Sequence, residues 1–368
     1  VNSSAQGLRR RCRAQSPRCA PMTSSAGSTS RSVLLSGFVL SVWLRQKLLQ
    51  SGAKSLDTWG PRWLAVALAR AMNLVARCAG VKFETDTYAK WYEDPLKRLD
   101  PERQYLTPWH PHGALTFCAA FFTNTMTSQS TTPAAPGPRG WFVGIADLLF
   151  RFPLLGEGLV LWNCRPVSET VSQRILGSGR SYAIQPGGIP EQVLTDHRRE
   201  LIVFPPTLGF CRLAIQHGTP LVPIYAFGEN QVFSTYKWGR KTTRRLHQAL
   251  GIAMPMINPW PNSVTLHMKW GRPVEVGARE ESPPDERVRE VFARYVAEVA
   301  RLFEEHRHAC LPADVAARGL TVLWRGHGKE ELDGLLDAAG LERDQVPGLV
   351  TVSGLCSPPP PPPPHSRL

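Results

Sequence analysis

The chain lacks the motifs of several common enzyme classes. It contains no Gly-x-Ser-x-Gly, no phosphate loop ending in Gly-Lys-Ser/Thr, no Gly-x-Gly-x-x-Gly and no His-Glu-x-x-His. These absences argue against a serine hydrolase, a nucleotide triphosphatase, a dehydrogenase and a zincin. The eight cysteines include no Cys-x-x-Cys pair, so their spacing predicts neither a zinc cage nor a disulfide framework. We expect reduced thiols that face the cytosol.

Acidic residues are absent from the first 54 positions, which carry nine lysines and arginines. The rest of the chain holds 34 basic and 30 acidic residues, so most of the net charge of +13 belongs to this N-terminal arm. A folded basic surface for nucleic acid is therefore not indicated. The 368 residues, 42% of them hydrophobic, can bury one large core or two small ones.

Residues 1–32 are predicted to be a disordered segment or a targeting or leader segment. The stretch Val1–Pro21 is rich in arginine and serine, which is typical of a transit peptide. Because the first residue is not methionine, an untranslated leader read in frame before a start at Met22 is the second interpretation. We favour the leader and expect Met22 to be the true start.

Residues 33–84 are predicted to form membrane-associating helices. The uncharged run Val33–Leu44 would span roughly 18 Å as a helix, against roughly 30 Å of hydrocarbon, which suits a shallow anchor better than a full span. Further on, Arg70, Asn73 and Arg77 fall on one face of an otherwise apolar helix. That pattern is typical of a helix in a membrane interface, and it also fits a core-packed helix with exposed arginines.

Residues 85–310 are predicted to be the catalytic domain, in which helical and strand patterns alternate as in an α/β fold. Ser181–Gln185 and Leu221–Phe227 are typical of buried strands, and Ser263–Trp270 alternates between apolar and polar residues. Phe210–His217 is predicted to be a short helix that a glycine ends.

A long amphipathic helix is predicted over residues 285–306, after two prolines. Its core face comprises Val288, Val291, Phe292, Tyr295, Val299, Leu302 and Phe303. Residues 311–368 are predicted to be a C-terminal extension. Within it, residues 312–350 are expected to be helical in places, and the proline-rich tail is typical of polyproline II or disorder.

The sequence Trp109-His110-Pro111-His112-Gly113 carries the strongest chemical signal. Pro111 favours an extended backbone at His110, so both imidazoles are expected on one side. Gly113 permits a sharp exit or the close approach of a ligand. Imidazole titrates near neutrality and suits the removal of an alcohol proton, so His110 or His112 is predicted to be the catalytic base.

Two other interpretations of the histidine pair stay open. Hydrogen-bonded core histidines are the first. A His-x-His metal site is the second, and it requires further ligands, for which His197, His217 and Cys118 are candidates without a diagnostic spacing. We favour the base and expect no bound metal.

The His110-Pro111-His112-Gly113 motif is similar to the signature of the type-2 diacylglycerol acyltransferase and monoacylglycerol acyltransferase family. The resemblance extends over residues 85–308. It departs from the family pattern at Phe204–Leu208, which lacks the basic residues usual before the Gly-Phe pair, and in the weakness of the N-terminal membrane hairpin. Four further blocks agree with the family in the same order, namely Arg165–Ser168, Tyr182–Glu191, Gly209–Asn230 and Gly271–Pro273.

Two glycines that follow a predicted strand, Gly187 and Gly188, can present backbone N–H groups to a developing oxyanion. Gly113 joins them as a predicted substrate-binding residue. A tight turn that uses glycine for its dihedral freedom is the alternative. Glu191 is predicted to act in catalysis by orienting His112 or binding the acceptor, and capping of the next helix fits the sequence equally.

A basic cluster offers contacts for the phosphates of coenzyme A. A solvated or membrane-facing basic surface is the commoner meaning of such a cluster. It consists of Lys237, Arg240, Lys241, Arg244 and Arg245.

The resemblance implies a glycerolipid-acyltransferase-like mixed sheet flanked by helices, and acyl-CoA as co-substrate without a tightly bound cofactor. It implies transfer of the acyl group to diacylglycerol, at the endoplasmic reticulum membrane with a cytosolic catalytic face, or at lipid droplets. Monoacylglycerol, another lipid alcohol or a phosphorylated lipid are alternative acceptors, and an inactive lipid-binding relative is the non-enzymatic alternative.

The acceptor is predicted to be a neutral lipid. Acyltransferases that use phosphorylated acceptors typically pair His-x-x-x-x-Asp with an arginine at a strand end. Here Leu115 and Phe117 stand five residues after the two histidines, and no arginine stands between Gly187 and Glu191. A phosphate dianion would be costly to bury without a cation.

Overall fold

The computed structural model describes ten strands and eight α-helices, all within the unit that comprises residues 49–368. The described residues are 56, 60–85, 99–100, 103–118, 141–236, 255–327, 329–338 and 349–351. The strands are β1 (Val81–Thr85), β2 (Leu106–His110), β3 (Trp141–Ile145), β4 (Cys164–Pro166), β5 (Ser181–Ile184), β6 (Glu200–Phe204), β7 (Ile224–Phe227), β8 (Val264–Trp270), β9 (Leu320–Trp324) and β10 (Leu349–Thr351). The helices are α1 (Arg62–Cys78), α2 (Leu155–Leu161), α3 (Glu169–Gly177), α4 (Gly188–Leu194), α5 (Gly209–His217), α6 (Asp285–Cys310), α7 (Ala313–Ala316) and α8 (Lys329–Ala338), with 3-10 turns at Asp147–Arg151 and Glu229–Gln231.

Seven strands form one mixed sheet in the order β1-β8-β7-β2-β5-β3-β4. Every neighbouring pair in it is parallel except β7 and β8, which are antiparallel. The other three strands form a parallel sheet in the order β10-β9-β6. Helices α3 and α6 contact strands of the main sheet, α4 contacts β6, and α5 packs against α3 and α6. The predicted α/β fold, with a mixed sheet flanked by helices, is confirmed.

The amphipathic helix α6 supplies much of the core. All seven residues predicted for its apolar face are buried, and the helix runs to Cys310, four residues beyond its predicted end. Phe292 of this helix packs edge to face on Phe204 of β6, with ring centroids 4.8 Å apart. The short helix α5 ends at Gly218 as predicted, in a left-handed conformation that suits glycine.

Most predicted strands are present, with one shortened. Strands β5 and β8 match their predictions within a residue. The predicted strand Leu221–Phe227 is regular only from Ile224, because Pro223 has no backbone N–H to donate. Leu221 instead forms isolated bridges to Leu106 and Val274.

Residues 312–350 are helical in places as expected, with α7 and α8, and they also contain strand β9, which was not predicted. Strand β9 alternates buried and partly exposed residues and pairs with β6 along its whole length. Val322 and Trp324 of β9 belong to the same apolar core as α6. The five residues of β9 are too few to produce a strong period, and their burial depends on β6, which is distant in the sequence. The predicted domain boundaries themselves stay predictions.

Helix α1 contacts the core through its small side chains. Ala65, Ala69 and Ala76 are buried, and the indole N–H of Trp162 donates to the Ala65 carbonyl at 3.0 Å. None of the described helices is long and apolar enough to cross a membrane. The run Val33–Leu44 lies outside the described residues. Leu64 and Met72 of α1 pack against the core, whereas four of its apolar side chains are exposed, namely Trp63, Leu68, Leu74 and Val75. The predicted arginines Arg70 and Arg77 are exposed as well.

The packing of β9 predicts that Trp324 is a core residue. We expect Trp324→Ala to lower the free energy of unfolding by about 3–5 kcal/mol, because the indole packs on Phe292 at 5.3 Å and is nearly inaccessible. Urea unfolding of the full chain in detergent measures the loss. Glu330→Ala, at an exposed position of α8, is the control and should change the value by less than about 0.5 kcal/mol. An equal effect of the two substitutions would contradict the placement of β9 in the core.

Candidate active site

Three neighbouring parallel strands, β5, β2 and β7, end at one edge of the main sheet. Their register pairs Pro108 with Ile184 and His110 with Tyr225. Because the carboxyl ends of parallel strands meet, the loops that follow these three strands lie side by side. The histidine motif after β2 and the glycine pair after β5 are thereby brought together.

His110 is the last residue of β2, and its side chain is fully buried. Its ring packs against Phe204 and Tyr295, at centroid distances of 5.1 Å and 6.2 Å. Its Nδ1 lies 3.6 Å from Oε2 of Glu191. Neither ring nitrogen has a hydrogen-bond partner among the described residues. His110 is therefore a core histidine beside a carboxylate, and its ring is closed to a substrate.

His112 lies beyond a cis His110–Pro111 peptide bond and is only partly buried. Its Nδ1 is 3.3 Å from the Gly113 carbonyl oxygen and 3.2 Å from Oγ1 of Thr116. A carbonyl oxygen only accepts, so this contact favours the tautomer with the proton on Nδ1 and the lone pair on Nε2, in which the Thr116 hydroxyl donates to the His112 carbonyl at 3.2 Å. Burial lowers the pKa of His112, against the opposing effect of the Glu191 carboxylate. A neutral imidazole with a free Nε2 lone pair can accept a proton at neutral pH.

Glu191 connects the two histidines from a buried position in the first turn of α4. Its Oε1 accepts the backbone N–H of His112 at 2.5 Å, and its Oε2 accepts the backbone N–H of Val203 at 2.7 Å. Both oxygens thus bond to amides outside α4, and not to the start of that helix. Glu191 fixes the main chain of His112 and lies next to the ring of His110, so its carboxylate stabilises positive charge at either imidazole.

The predicted glycines meet glutamate side chains. A Cβ at Gly187 would stand 2.0 Å from Oε2 of Glu191, and one at Gly113 would stand 2.8 Å from Cγ of Glu229. The close approach predicted at Gly113 is therefore made by a side chain of the protein itself. Gly188 has φ +50° and donates its N–H to the Gln185 carbonyl at 3.3 Å in a turn. The Gly188 N–H is therefore already used, and the role of Gly187 as an oxyanion donor stays a prediction.

Thr116 and Gln185 were not among the predicted site residues. The Thr116 hydroxyl lies 3.2 Å from His112 Nδ1 and 3.3 Å from Oε1 of Gln185. The Nε2 atom of Gln185 is buried and has no hydrogen-bond partner among the described residues. Residues 112–116 are not helical, so no periodic pattern in the sequence identifies the threonine as a neighbour of His112.

Other predicted site residues lie elsewhere. Nδ1 of His197 bonds to Thr235, and Nε2 of His217 bonds to the Gln173 side chain. Within the described ranges no group of three or more His, Cys, Asp or Glu side chains is arranged to hold a metal ion. The five basic residues of 237–245 fall outside the described residues, so their contact with coenzyme A stays a prediction.

Comparison with known proteins places the chain in a family. A family model for diacylglycerol acyltransferase matches residues 89–316. The chain is 30% identical over 233 residues to human 2-acylglycerol O-acyltransferase 3, covering 58% of this chain and 67% of that protein. It is 29% identical over 231 residues to diacylglycerol O-acyltransferase 2 of Xenopus tropicalis, covering 57% of this chain and 62% of that protein. It is also 29% identical over 228 residues to 2-acylglycerol O-acyltransferase 1 of Bos taurus, covering 57% and 67%. No solved structure matches the chain.

The chain belongs to the diacylglycerol acyltransferase family. The family and the acyltransferase class predicted from the motifs are thereby confirmed. The aligned regions span 62% to 67% of these relatives' own lengths. Their names divide between diacylglycerol and 2-acylglycerol acyltransferases, so the comparison leaves the acceptor lipid unassigned.

The close approach of Glu191 to Gly187 predicts that a side chain at position 187 impairs catalysis. Gly187→Ala should lower kcat for acyl transfer by about tenfold or more, because the new methyl group must displace the carboxylate that holds His112. Gly334→Ala is the matched control, since a Cβ there meets nothing within 4 Å. The measurement is transfer of labelled acyl groups in microsomes, normalised to the amount of folded protein. A normal kcat in Gly187→Ala would contradict the proposed hold of Glu191 on His112.

Proposed function

We propose that the protein transfers a fatty acyl group from acyl-CoA to the free hydroxyl of diacylglycerol and so forms triacylglycerol. The observation that carries the proposal is the arrangement of His112, whose Nδ1 faces the Gly113 carbonyl and whose backbone is held by Glu191. The names of the relatives support an acylglycerol acceptor, and membership of the family supports acyl-CoA as the donor. Monoacylglycerol is the second candidate acceptor, because human 2-acylglycerol O-acyltransferase 3 is 30% identical to the chain.

The proposed reaction has one addition and one elimination. Nε2 of His112 takes the proton of the acceptor hydroxyl as its oxygen bonds to the thioester carbonyl carbon. The carbonyl π electrons move to oxygen, and the Gly187 amide is the candidate donor to that oxyanion. Collapse of the intermediate breaks the carbon–sulfur bond, and the coenzyme A thiolate takes the proton back from the imidazolium. The nearby Glu191 carboxylate stabilises that imidazolium while it exists.

Charge at the site supports a neutral acceptor. Residues 106–118, 181–191 and 224–231, which form the ends of β2, β5 and β7 and their loops, contain no lysine or arginine. Glu191 is buried there with two backbone amides as partners, so a phosphate dianion would find no cation on these segments to offset its burial. The Arg165 guanidinium is itself buried, donates to the Cys164 carbonyl at 2.8 Å and lies over the Phe142 ring. These contacts disfavour its use as a phosphate ligand.

The exposed face of α1 supports the proposed association with a membrane. Trp63, Leu74 and Val75 are each more than 60% exposed, and Arg70 and Arg77 are exposed on the adjoining side. Apolar side chains next to arginines suit the boundary between acyl chains and anionic headgroups. Residues 33–84 are the proposed membrane-associating segment. The endoplasmic reticulum, with the catalytic face in the cytosol, is the proposed location, and the lipid droplet is the second.

A comparison of acceptors tests the proposal. Microsomes that contain the protein are given one labelled acyl-CoA with diacylglycerol, monoacylglycerol or lysophosphatidic acid. We expect the highest kcat/KM with diacylglycerol and a value at least about tenfold lower with lysophosphatidic acid, because the site has no cation for its phosphate. Microsomes with His112→Ala are the control for endogenous enzymes. Preference for monoacylglycerol would move the assignment within the family, and preference for lysophosphatidic acid would overturn it.

The state of His112 predicts the pH dependence. Only the neutral imidazole accepts a proton, and burial lowers the His112 pKa below the ordinary value of 6.5. We therefore expect the acid limb of kcat/KM to have its midpoint below pH 6.5. His112→Ala should lower kcat by at least about a hundredfold, and its residual rate should lack this acid limb. A limb with an apparent pKa well above 6.5, or near-normal turnover in His112→Ala, would contradict the assignment of His112 as the base.

A further inference from the structure

Glu229 contacts the segment that follows the histidine motif. It is the first residue of the 3-10 turn after β7, and it is 1% exposed. Its Oε1 accepts the backbone N–H of Phe117 at 2.6 Å, and its Oε2 accepts the backbone N–H of Cys118 at 3.0 Å. One carboxylate thus holds two consecutive amides of a loop that is distant in the sequence.

The same side chain also bounds the loop at its start. Gly113 has φ +68°, and a Cβ there would stand 2.8 Å from Cγ and 2.9 Å from Oε1 of Glu229. The carboxylate therefore fills the space beside Gly113 while it bonds to Phe117 and Cys118. Residues 113–118 are held against Glu229 at both ends.

This loop carries both groups that face Nδ1 of His112. The Gly113 carbonyl lies 3.3 Å from that nitrogen, and the Thr116 hydroxyl lies 3.2 Å from it. If the loop shifted, the Gly113 carbonyl would no longer accept from Nδ1. The proton could then move to Nε2, which would lose the lone pair that takes the hydroxyl proton. We propose that Glu229 is a positioning residue for acyl transfer, which fixes residues 113–118 so that His112 presents the basic Nε2 to the acceptor. This inference rests on the proposed function of His112 as the base.

Burial and hydrogen bonding have opposite effects on the pKa of the Glu229 carboxyl group. Burial raises the pKa of Glu229 to about 8, although the amides of Phe117 and Cys118 favour the ionised form. A buried acid is costly to place, and its hydrogen bonds within the described part of the chain go to the loop that frames His112. A glutamine would keep the shape of the side chain and would lose one of the two acceptors, because its NH₂ group only donates.

The experiment compares Glu229→Gln with Glu298→Gln in the full chain. Glu298 is a matched control, because it accepts the backbone N–H of Arg272 at 2.6 Å and lies beside Gly271, outside residues 112–118. We expect Glu229→Gln to lower kcat about tenfold or more with little change in the KM for acyl-CoA, and Glu298→Gln to leave kcat unchanged. A merely structural cap would reduce the amount of folded enzyme and leave the kcat of the folded fraction normal.

A double-mutant cycle with Thr116→Val shows whether Glu229 acts through the loop. If it does, the combined loss in kcat is smaller than the product of the two single losses, because both substitutions disturb the same contact of His112. Hydrogen exchange of residues 113–118, measured by mass spectrometry, should also be faster in Glu229→Gln than in the wild type. Glu229→Asp, which keeps the charge on a shorter side chain, replaces Glu229→Gln if the latter does not fold, with the same loss of kcat expected.

A folded Glu229→Gln enzyme with kcat within about twofold of the wild type, or independent effects in the cycle, would overturn the positioning role. Failure of the proposed function would look different, because the wild type itself would then transfer no acyl group. In that case the hydrogen exchange of residues 113–118 still shows whether Glu229 fixes the loop. Equal exchange rates in Glu229→Gln and the wild type would overturn the positioning role.

Discussion

The active site depends on a buried carboxylate that accepts two backbone amides. Glu191 holds the N–H groups of His112 and Val203, and it stands 3.6 Å from the ring of His110. Burial of a carboxylate is costly, and the two amide bonds offset part of that cost. The same oxygens connect the loop after β2 to strand β6, so His112, His110 and the second sheet are joined through one side chain.

Two further buried acids accompany Glu191. Glu200 accepts the Tyr225 hydroxyl at 2.7 Å and the side-chain amide of Gln231 at 2.8 Å, and burial raises its pKa. Burial also raises the pKa of Glu229 to about 8. The site thus concentrates acidic groups where no lysine or arginine stands on the adjoining strand ends. Raised pKa values lower the negative charge that Glu200 and Glu229 carry. Glu191, which bonds to the His112 amide, is therefore the carboxylate proposed to stabilise an imidazolium.

The sequence predicted the parts of the site that a local motif contains. His110, His112, Gly187 and Glu191 do meet at one edge of the sheet, because β2 and β5 are adjacent and parallel. It did not predict which histidine is accessible. That difference depends on Phe204 and Tyr295, which bury His110 and come from distant elements.

The sequence did not predict contacts between residues that are far apart along the chain. Glu229 bonds to Phe117 at a separation of 112 residues, and no local pattern encodes that contact. Residues 320–324 form strand β9 because they pair with the distant strand β6. The sequence predicted that Gly113 admits a ligand. A glycine in a sequence shows only that space is needed at that position, and it does not show what fills the space. In the fold that space belongs to Glu229.

The central claim is that Nε2 of His112, held by Glu191, is the base. A cryo-electron microscopy structure of the full chain with a non-reactive thioether analogue of acyl-CoA and diacylglycerol tests it most directly. The account predicts the acceptor hydroxyl oxygen within about 3.2 Å of His112 Nε2, with Glu191 still bonded to the His112 amide. A hydroxyl seated on His110, or out of reach of both imidazoles in a complete complex, would contradict it.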